Sequence, residues 1–116
     1  MYNFPEDLDL SHLIGGEVIE ISKVPYNLAI HLDPENLINI AGAWRLTDQS
    51  GKVIDEGDEQ HNKEYYKIHR LLGKKLTATI VLNPTTLEII FDSEWKLEIF
   101  DDEEGESCHI SPNIYI

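Results

Sequence analysis

Cysteine is nearly absent from this sequence: Cys108 is the single cysteine among 116 residues. One thiol excludes an internal disulfide and a cysteine-rich zinc site, and it is typical of a reducing compartment. No apolar run approaches the roughly 20 residues that a membrane-spanning helix requires. The N-terminal segment is acidic and lacks the basic n-region of a signal peptide. We therefore expect a cytoplasmic protein with no membrane partner.

Basic residues are also scarce. The sequence has 9 Lys and Arg against 22 Asp and Glu, which gives a formal net charge of −13 and a pI near 4.5. Binding to nucleic-acid phosphates requires clustered cations, so this balance argues against a nucleic-acid partner. It disfavours anionic membrane surfaces for the same reason. A basic protein is the class of partner that the charge favours.

What the sequence does contain is enough apolar material for one core. Hydrophobic residues make up 41% of the chain and charged residues 27%, a balance typical of globular domains. A disordered acidic chain would be less apolar. A chain of this length can form one hydrophobic core without disulfides or metals. We therefore expect a single domain over residues 1–116.

Apolar and polar residues alternate in most of the sequence, which is the period of a half-buried β-strand. Leu28, Ile30 and Leu32 share one face of such a strand. Segments typical of turns separate the strands at residues 33–36, 49–52 and 83–85. This pattern predicts antiparallel meanders.

The two halves of the chain resemble each other. Leu13-Ile14-Gly15 recurs as Leu71-Leu72-Gly73, and the alternating residues that follow each glycine also align. We interpret the similarity as an internal duplication with repeats at residues 13–46 and 71–110.

The connection between the repeats, residues 55–72, has helical spacing instead. One apolar stripe is formed by Tyr65, Ile68, Leu71 and Leu72, and Asp58 is a plausible N-cap residue. The predicted fold class is therefore α+β and mostly β. It consists of two duplicated antiparallel meanders that form a sandwich or a small barrel, with one α-helix between them.

No catalytic or metal-binding template fits the sequence. The five histidines show none of the short spacings that zinc sites use. His109 directly follows Cys108, and adjacent strand residues point to opposite faces, so the two side chains do not form a catalytic pair. Neither a nucleophile elbow nor a phosphate-binding glycine loop is present. We expect no enzymatic activity, no metal and no cofactor.

Carboxylates cluster in two runs, one after each meander. The first spans residues 55–59 and the second residues 101–106, each interrupted by one glycine. One interpretation is a pair of solvated loops whose charge keeps the protein soluble. The other is a negative patch that steers a basic partner. The candidate partner-binding residues are Asp55, Glu56, Asp58, Glu59, Asp101, Asp102, Glu103 and Glu104.

Trp44, Arg45 and Trp95 are candidates for a binding hot spot or for the lining of a pocket, because Trp and Arg are enriched at such sites. A tryptophan in a strand is also a common core anchor. Arg45 has many carboxylates with which it could pair. The sequence leaves these interpretations open.

Several motifs together resemble a bacterial family of small acidic domains of unknown function. They are Leu13-Ile14-Gly15-Gly16, Trp44-Arg45-Leu46-Thr47-Asp48, Val53-Ile54-Asp55, Leu71-Leu72-Gly73-Lys74 and Leu87-x-Ile89-x-Phe91-Asp92. The resemblance extends from Leu13 to about Ile110 and implies a two-part β-meander fold. Some members are immunity-like proteins, and no catalytic residues transfer from the family.

Three function classes follow from these observations. The leading hypothesis is a non-enzymatic protein-interaction domain, in one version an immunity-type inhibitor that covers the cationic site of a basic toxin. The second is a small-ligand-binding or enzymatic domain with a pocket between the meanders, lined by Trp44, Trp95 and Tyr26. The third is a homo-oligomeric structural protein, a homodimer for example, in which exposed strand edges pair about a two-fold axis.

Overall fold

The described part of the chain forms two antiparallel sheets of five strands each. The computed structural model describes residues 4–24, 27–57, 67–101, 108–110 and 114–115. Within these ranges the strands are β1 (Val18–Val24), β2 (Asn27–Leu32), β3 (Asn36–Ile40), β4 (Trp44–Thr47), β5 (Val53–Gly57), β6 (Leu76–Asn83), β7 (Thr86–Phe91), β8 (Trp95–Phe100), β9 (Cys108–Ile110) and β10 (Ile114–Tyr115).

Each sheet combines strands from both halves of the chain. The first sheet has the order β1-β2-β3-β9-β10, and the second has the order β5-β4-β8-β7-β6. The β4–β5 hairpin follows the first meander in sequence but pairs with β8 of the second. Likewise, β9 follows the second meander but pairs with β3 of the first. Each meander is therefore extended by strands from the other half.

The period-two alternation places every second residue of these strands in one shared core. On β2, Leu28, Ile30 and Leu32 are buried, and on β8 so are Leu97 and Ile99. Residues from both sheets belong to a single cluster of buried hydrophobic side chains. Burying one such side chain contributes about 1.5–3 kcal/mol, so this shared core is the main source of stability.

The mostly-β fold with antiparallel pairing is confirmed. Both sheets have an open strand order, so the small barrel that the sequence allowed is excluded. The α-helix predicted within residues 55–72 is wrong for the part that the structure describes. Residues 53–57 are strand β5, and Ile68–Leu71 forms a 3-10 turn. Residues 58–66 lie outside the described residues.

The wrong prediction has a simple physical origin. Ile68 and Leu71 are three residues apart, and this spacing puts two side chains on the same side of either an α-helix or a 3-10 turn. Both residues are buried, whereas Leu72, which the predicted apolar stripe also included, is 45% exposed. A second 3-10 turn, Ser11–Leu13, precedes β1 and buries Leu13. No helix in the described ranges is long and apolar enough to cross a membrane.

Candidate functional site

The outer face of the second sheet carries a row of charged side chains across four strands. Glu56 on β5 lies opposite Arg45 on β4, and Arg45 lies opposite Glu98 on β8. The row continues on β7, where Glu88 lies opposite Glu98. Directly opposed residues of antiparallel strands point to the same face. We call these four residues the charged row.

Ion pairs organise the charged row. Arg45 Nε lies 3.6 Å from Glu56 Oε2, and Lys96 Nζ lies 3.6 Å from Glu88 Oε2. The Arg45 guanidinium also lies over the ring of Phe100, 5.5 Å from its centroid. The Arg45–Glu56 pair is exposed and contributes only about 0–1 kcal/mol. With Lys96 included, this surface has three carboxylates and only two cations, so its net charge is negative.

The two tryptophans that were considered with Arg45 do not share its surface. Trp44 is only 2% exposed and belongs to the core cluster. Trp95 is partly buried and packs against the same cluster. Its indole Nε1 is buried and has no hydrogen-bond partner among the described residues. Of these three candidates, Arg45 alone has an exposed side chain in the described structure.

Asp55 is buried rather than part of an exposed acidic patch, being 6% exposed. Its Oδ2 accepts hydrogen bonds from the backbone N–H groups of Lys67 and Ile68, at 2.5 and 2.9 Å. Its Oδ1 accepts a third from the N–H of Glu56, at 2.9 Å. The carboxylate therefore ties β5 to the start of the second 3-10 turn, and it is not available to a partner.

The other acidic candidates fall into two groups. Asp101 is buried, and its backbone N–H donates to the carbonyl oxygen of Thr85 at 2.9 Å. Glu56 is exposed and belongs to the charged row. The remaining candidates lie outside the described residues: Asp58, Glu59, Asp102, Glu103 and Glu104.

The two acidic runs continue from the same end of the second sheet. Gly57, the last residue of β5, lies opposite Trp44, and Trp44 lies opposite Ile99 near the end of β8. Strand β4 lies between β5 and β8, so their ends are about 10 Å apart, two strand spacings. The points from which both runs continue are therefore close to each other and to the charged row.

A shallow cleft lies between two turns at the opposite end of this face. It is lined by the turn at residues 48–51, by Ser93 and Glu94, and by Trp95 and Lys96 of β8. Its volume is about 280 Å³, just below the range of about 300–1,000 Å³ that is usual for ligand pockets. Trp44 does not line it. The cleft gives little support to a ligand site between the meanders.

Asp48 organises one wall of this cleft through hydrogen bonds. Its Oδ1 accepts from the Ser50 hydroxyl at 2.6 Å, and from the N–H groups of Ser50 and Lys52 at 2.9 and 3.1 Å. The Ser50 hydroxyl lowers the pKa of Asp48 below its ordinary value of 3.8, and the two N–H groups and the Lys52 charge add to this effect against partial desolvation.

This depressed pKa predicts a pH-dependent effect of the substitution Ser50→Ala. The Asp48 interactions stabilise the folded state above pH 3.8 and are lost as the pH falls through the lower pKa of the folded state. The variant should therefore be less stable than the wild type at neutral pH, and the difference should shrink under strongly acidic conditions. Urea unfolding midpoints measured across this pH range test the prediction, and a pH-independent difference would contradict it.

The described residues give no support to metal chemistry. In the described ranges, no group of three or more His, Cys, Asp and Glu side chains is placed to hold a metal ion. The Cys108 thiol is buried. His31 lies on the first sheet, with its Nε2 3.8 Å from Glu20 Oε2. The second sheet instead carries ion-paired carboxylates and cations on its outer face.

Sequence reasoning missed three residues of this face: Glu88, Lys96 and Glu98. The alternation of β8 places Lys96 and Glu98 on the face opposite to Leu97, so their outward direction could have been predicted. Their position next to Arg45 depends on the pairing of β4 with β8. That pairing joins segments far apart in the sequence, and the alternation does not encode it.

The comparisons with known proteins identify a family but no activity. A model of a family of unknown function, DUF6188, matches residues 10–112. The search of curated proteins and the search of solved structures found no match. The matched segment contains both 3-10 turns, both meanders and the charged row. The chain belongs to the DUF6188 family of unknown function.

Proposed function

We propose that this protein is a non-enzymatic interaction domain that binds a basic protein through the charged row and the adjacent end of the second sheet. The proposed setting is the cytoplasm of a bacterium, and the proposed process is inhibition of the immunity type, in which the domain covers a cationic site of a toxin. The two similar halves are proposed to derive from a duplication.

The observation that carries this proposal is the position of the charged row beside the sheet end from which both acidic runs continue. Glu56 is exposed and Glu98 is partly exposed, so these two carboxylates of the charged row are accessible to a partner. The antiparallel pairing of β5, β4 and β8 fixes these groups at strand spacing, about 5 Å between neighbours. A rigid array of this kind can match cations on a partner without a large loss of conformational entropy.

The overall charge adds a long-range contribution. A net charge of −13 on a domain of this size produces a potential of several kT near its most acidic surface. Such a potential raises the association rate with a basic protein and disfavours acidic ones. The ion pairs of Arg45 and Lys96 remain within this surface, where they provide geometric specificity.

The first test of the proposal is salt-dependent capture. The chain is immobilised and exposed to lysate of the source organism at low and at high salt, and retained proteins are identified by mass spectrometry. We expect a basic protein that is retained at low salt and released when the screening length falls to a few ångströms, at about 1 M salt. Retention of acidic proteins only, or retention that salt does not affect, would contradict the proposal.

A pair of variants then tests the location of the surface. Glu56→Gln with Glu98→Gln removes two charges from the charged row, and we expect the association rate with the captured protein to fall by about tenfold. Glu20→Gln with Glu35→Gln removes two charges elsewhere on the described surface and serves as the matched control. Equal effects of the two pairs, measured by surface-binding kinetics, would show that net charge acts without a defined site.

A further inference from the structure

The two 3-10 turns have the same backbone surroundings. Four hydrogen bonds join the chain after the first turn to the chain after the second: Gly15 N–H to Leu76 O at 2.8 Å, Gly73 N–H to Val18 O at 2.8 Å, Val18 N–H to Lys74 O at 2.8 Å, and Leu76 N–H to Gly16 O at 2.9 Å. Each bond has a counterpart in which the equivalent residue of the other half is the donor. The turns therefore flank one junction with approximate two-fold symmetry.

Glycine is required at the same point beside each turn. Gly15 has φ of +91° and Gly73 has φ of +83°, which is a conformation that other residues adopt only with strain. Between these glycines, Glu17 lies opposite Lys75 in an antiparallel bridge, and both residues are exposed. The approximate two-fold axis therefore reaches the surface between a negative and a positive side chain.

Charge distinguishes the two turns although their backbones match. Asp9, Glu17 and Asp33 are exposed around the first turn, and Asp33 N–H donates to Glu17 O at 2.9 Å. Around the second turn the sequence has four cations within nine residues and one carboxylate close by: Lys67, Arg70, Lys74, Lys75 and Asp92. Asp9 and Glu17 occupy the positions that Lys67 and Lys75 occupy in the other half. The surroundings of the junction are thus acidic beside the first turn and basic beside the second.

An exposed apolar side chain lies on each side of the same junction. Ile14 directly follows the first turn and is 51% exposed, and Leu72 directly follows the second turn and is 45% exposed. Single exposed apolar residues are common on protein surfaces. Here they occupy equivalent positions, next to the glycines that join the two halves. We call residues 9–17 and 67–75 together the junction surface.

We infer that the junction surface binds the junction surface of a second copy of this chain. In a face-to-face dimer the two-fold axis lies in the plane of the interface. When the two-fold axis of the dimer runs between the two turns, the acidic turn of each copy faces the basic turn of the other copy. The interface then contains two such contacts. Glu17 of one copy then lies opposite Lys75 of its partner, and Ile14 lies opposite Leu72. The surface is then complementary to itself in charge at the Asp9 and Lys67 positions and at the Glu17 and Lys75 positions, and it is apolar on both sides at Ile14 and Leu72.

The net charge of −13 on each copy opposes this association, but it acts over a longer range. At physiological salt, charges separated by more than about 8 Å are largely screened. The pairs at the junction surface would be in direct contact and are screened less. Local complementarity therefore determines which face is used, and the net repulsion limits the affinity.

Two charge-reversal variants test the dimer. The acidic variant carries Lys67→Glu and Lys75→Glu, and the basic variant carries Asp9→Lys and Glu17→Lys, so the changed residues of the two variants face each other in the dimer. Each variant alone places like charges opposite one another, so we expect its dimer dissociation constant to rise by about 100-fold. An equimolar mixture restores opposite charges on both sides, and we expect a heterodimer. Sedimentation velocity over a concentration series measures the dimer dissociation constant of each variant, of the mixture and of the wild type.

A far-ultraviolet circular dichroism spectrum of each variant first shows that it is folded, so the association of the mixture reports on the junction surface and not on folding. Glu56→Gln with Glu98→Gln serves as a second control: it should leave the dimer unchanged, although it removes the surface proposed for the basic partner. A wild type that stays monomeric at all concentrations, variants that dimerise as the wild type does, or a mixture that fails to associate would each overturn the inference.

Discussion

Asp55→Ala is expected to lower the free energy of unfolding by about 2–4 kcal/mol. The substitution removes the acceptor of three backbone N–H groups, those of Glu56, Lys67 and Ile68. Asp55 is buried and so is Ile68, so water does not fully replace the lost hydrogen bonds. Chemical denaturation of the purified variant, compared with the wild type, measures the change.

Glu56→Ala is the matched control for this substitution. It removes a neighbouring carboxylate on the same strand, but that carboxylate is exposed and makes one ion pair with Arg45. Its removal should change the free energy of unfolding by about 1 kcal/mol or less. Equal effects of the two substitutions would mean that Asp55 does not anchor the second 3-10 turn.

Gly57→Ala is expected to destabilise the fold by about 1–3 kcal/mol through overpacking. A methyl group on Gly57 would lie 2.7 Å from Nε1 of Trp44 and 2.8 Å from two ring carbons of the same indole. Trp44 is enclosed in the core and cannot move away without disturbing its neighbours. Thermal and chemical unfolding of the variant test the expected loss.

A double-mutant cycle identifies the indole as the cause. In a Trp44→Leu background the ring is absent, so adding the methyl group at Gly57 should change the stability by only about 0.5 kcal/mol. The expected coupling energy between the two positions is then about 1 kcal/mol or more. Additive effects would show that the methyl group is unfavourable for another reason, such as distortion of the β5 backbone.

Strands such as β2 were predictable because every second residue is buried and the residues between them are more exposed. The alternation of Leu28, Ile30 and Leu32 corresponds to β2. Period-two patterning depends only on local side-chain direction, which the pleat of a strand determines. This part of the structure therefore follows from neighbouring residues alone.

The change of sheet between β3 and β4 was not predictable from the same pattern. Residues 37–46 are one alternating run in the sequence, whereas in the structure the run is interrupted at residues 41–43 and continues in the other sheet. Ile38 and Ile40 point into the core from one sheet, and Leu46 does so from the other. Both sheets present their apolar side to the same interior, so alternation gives the same signal before and after the crossing.

The candidate site was only partly predictable for a related reason. The sequence identified Arg45 and Glu56, which the structure brings together, but it did not connect them with Glu98. It also treated Asp55 as a surface charge, because nothing local shows that its carboxylate meets amides 12 and 13 residues away. Long-range contacts of this kind depend on the topology, which the local pattern does not specify.

The exchange of strands between the two halves also has a consequence for synthesis of the chain. When β3 has left the ribosome, its pairing partner β9 has not yet been translated, because Ile38 pairs with Ile110. The first meander therefore has an open hydrogen-bonding edge until Ile110 has been translated, and such edges promote aggregation. The second sheet is complete only after β8 has been translated, and the first sheet only after β9 and β10, so neither sheet can assemble from one half of the chain.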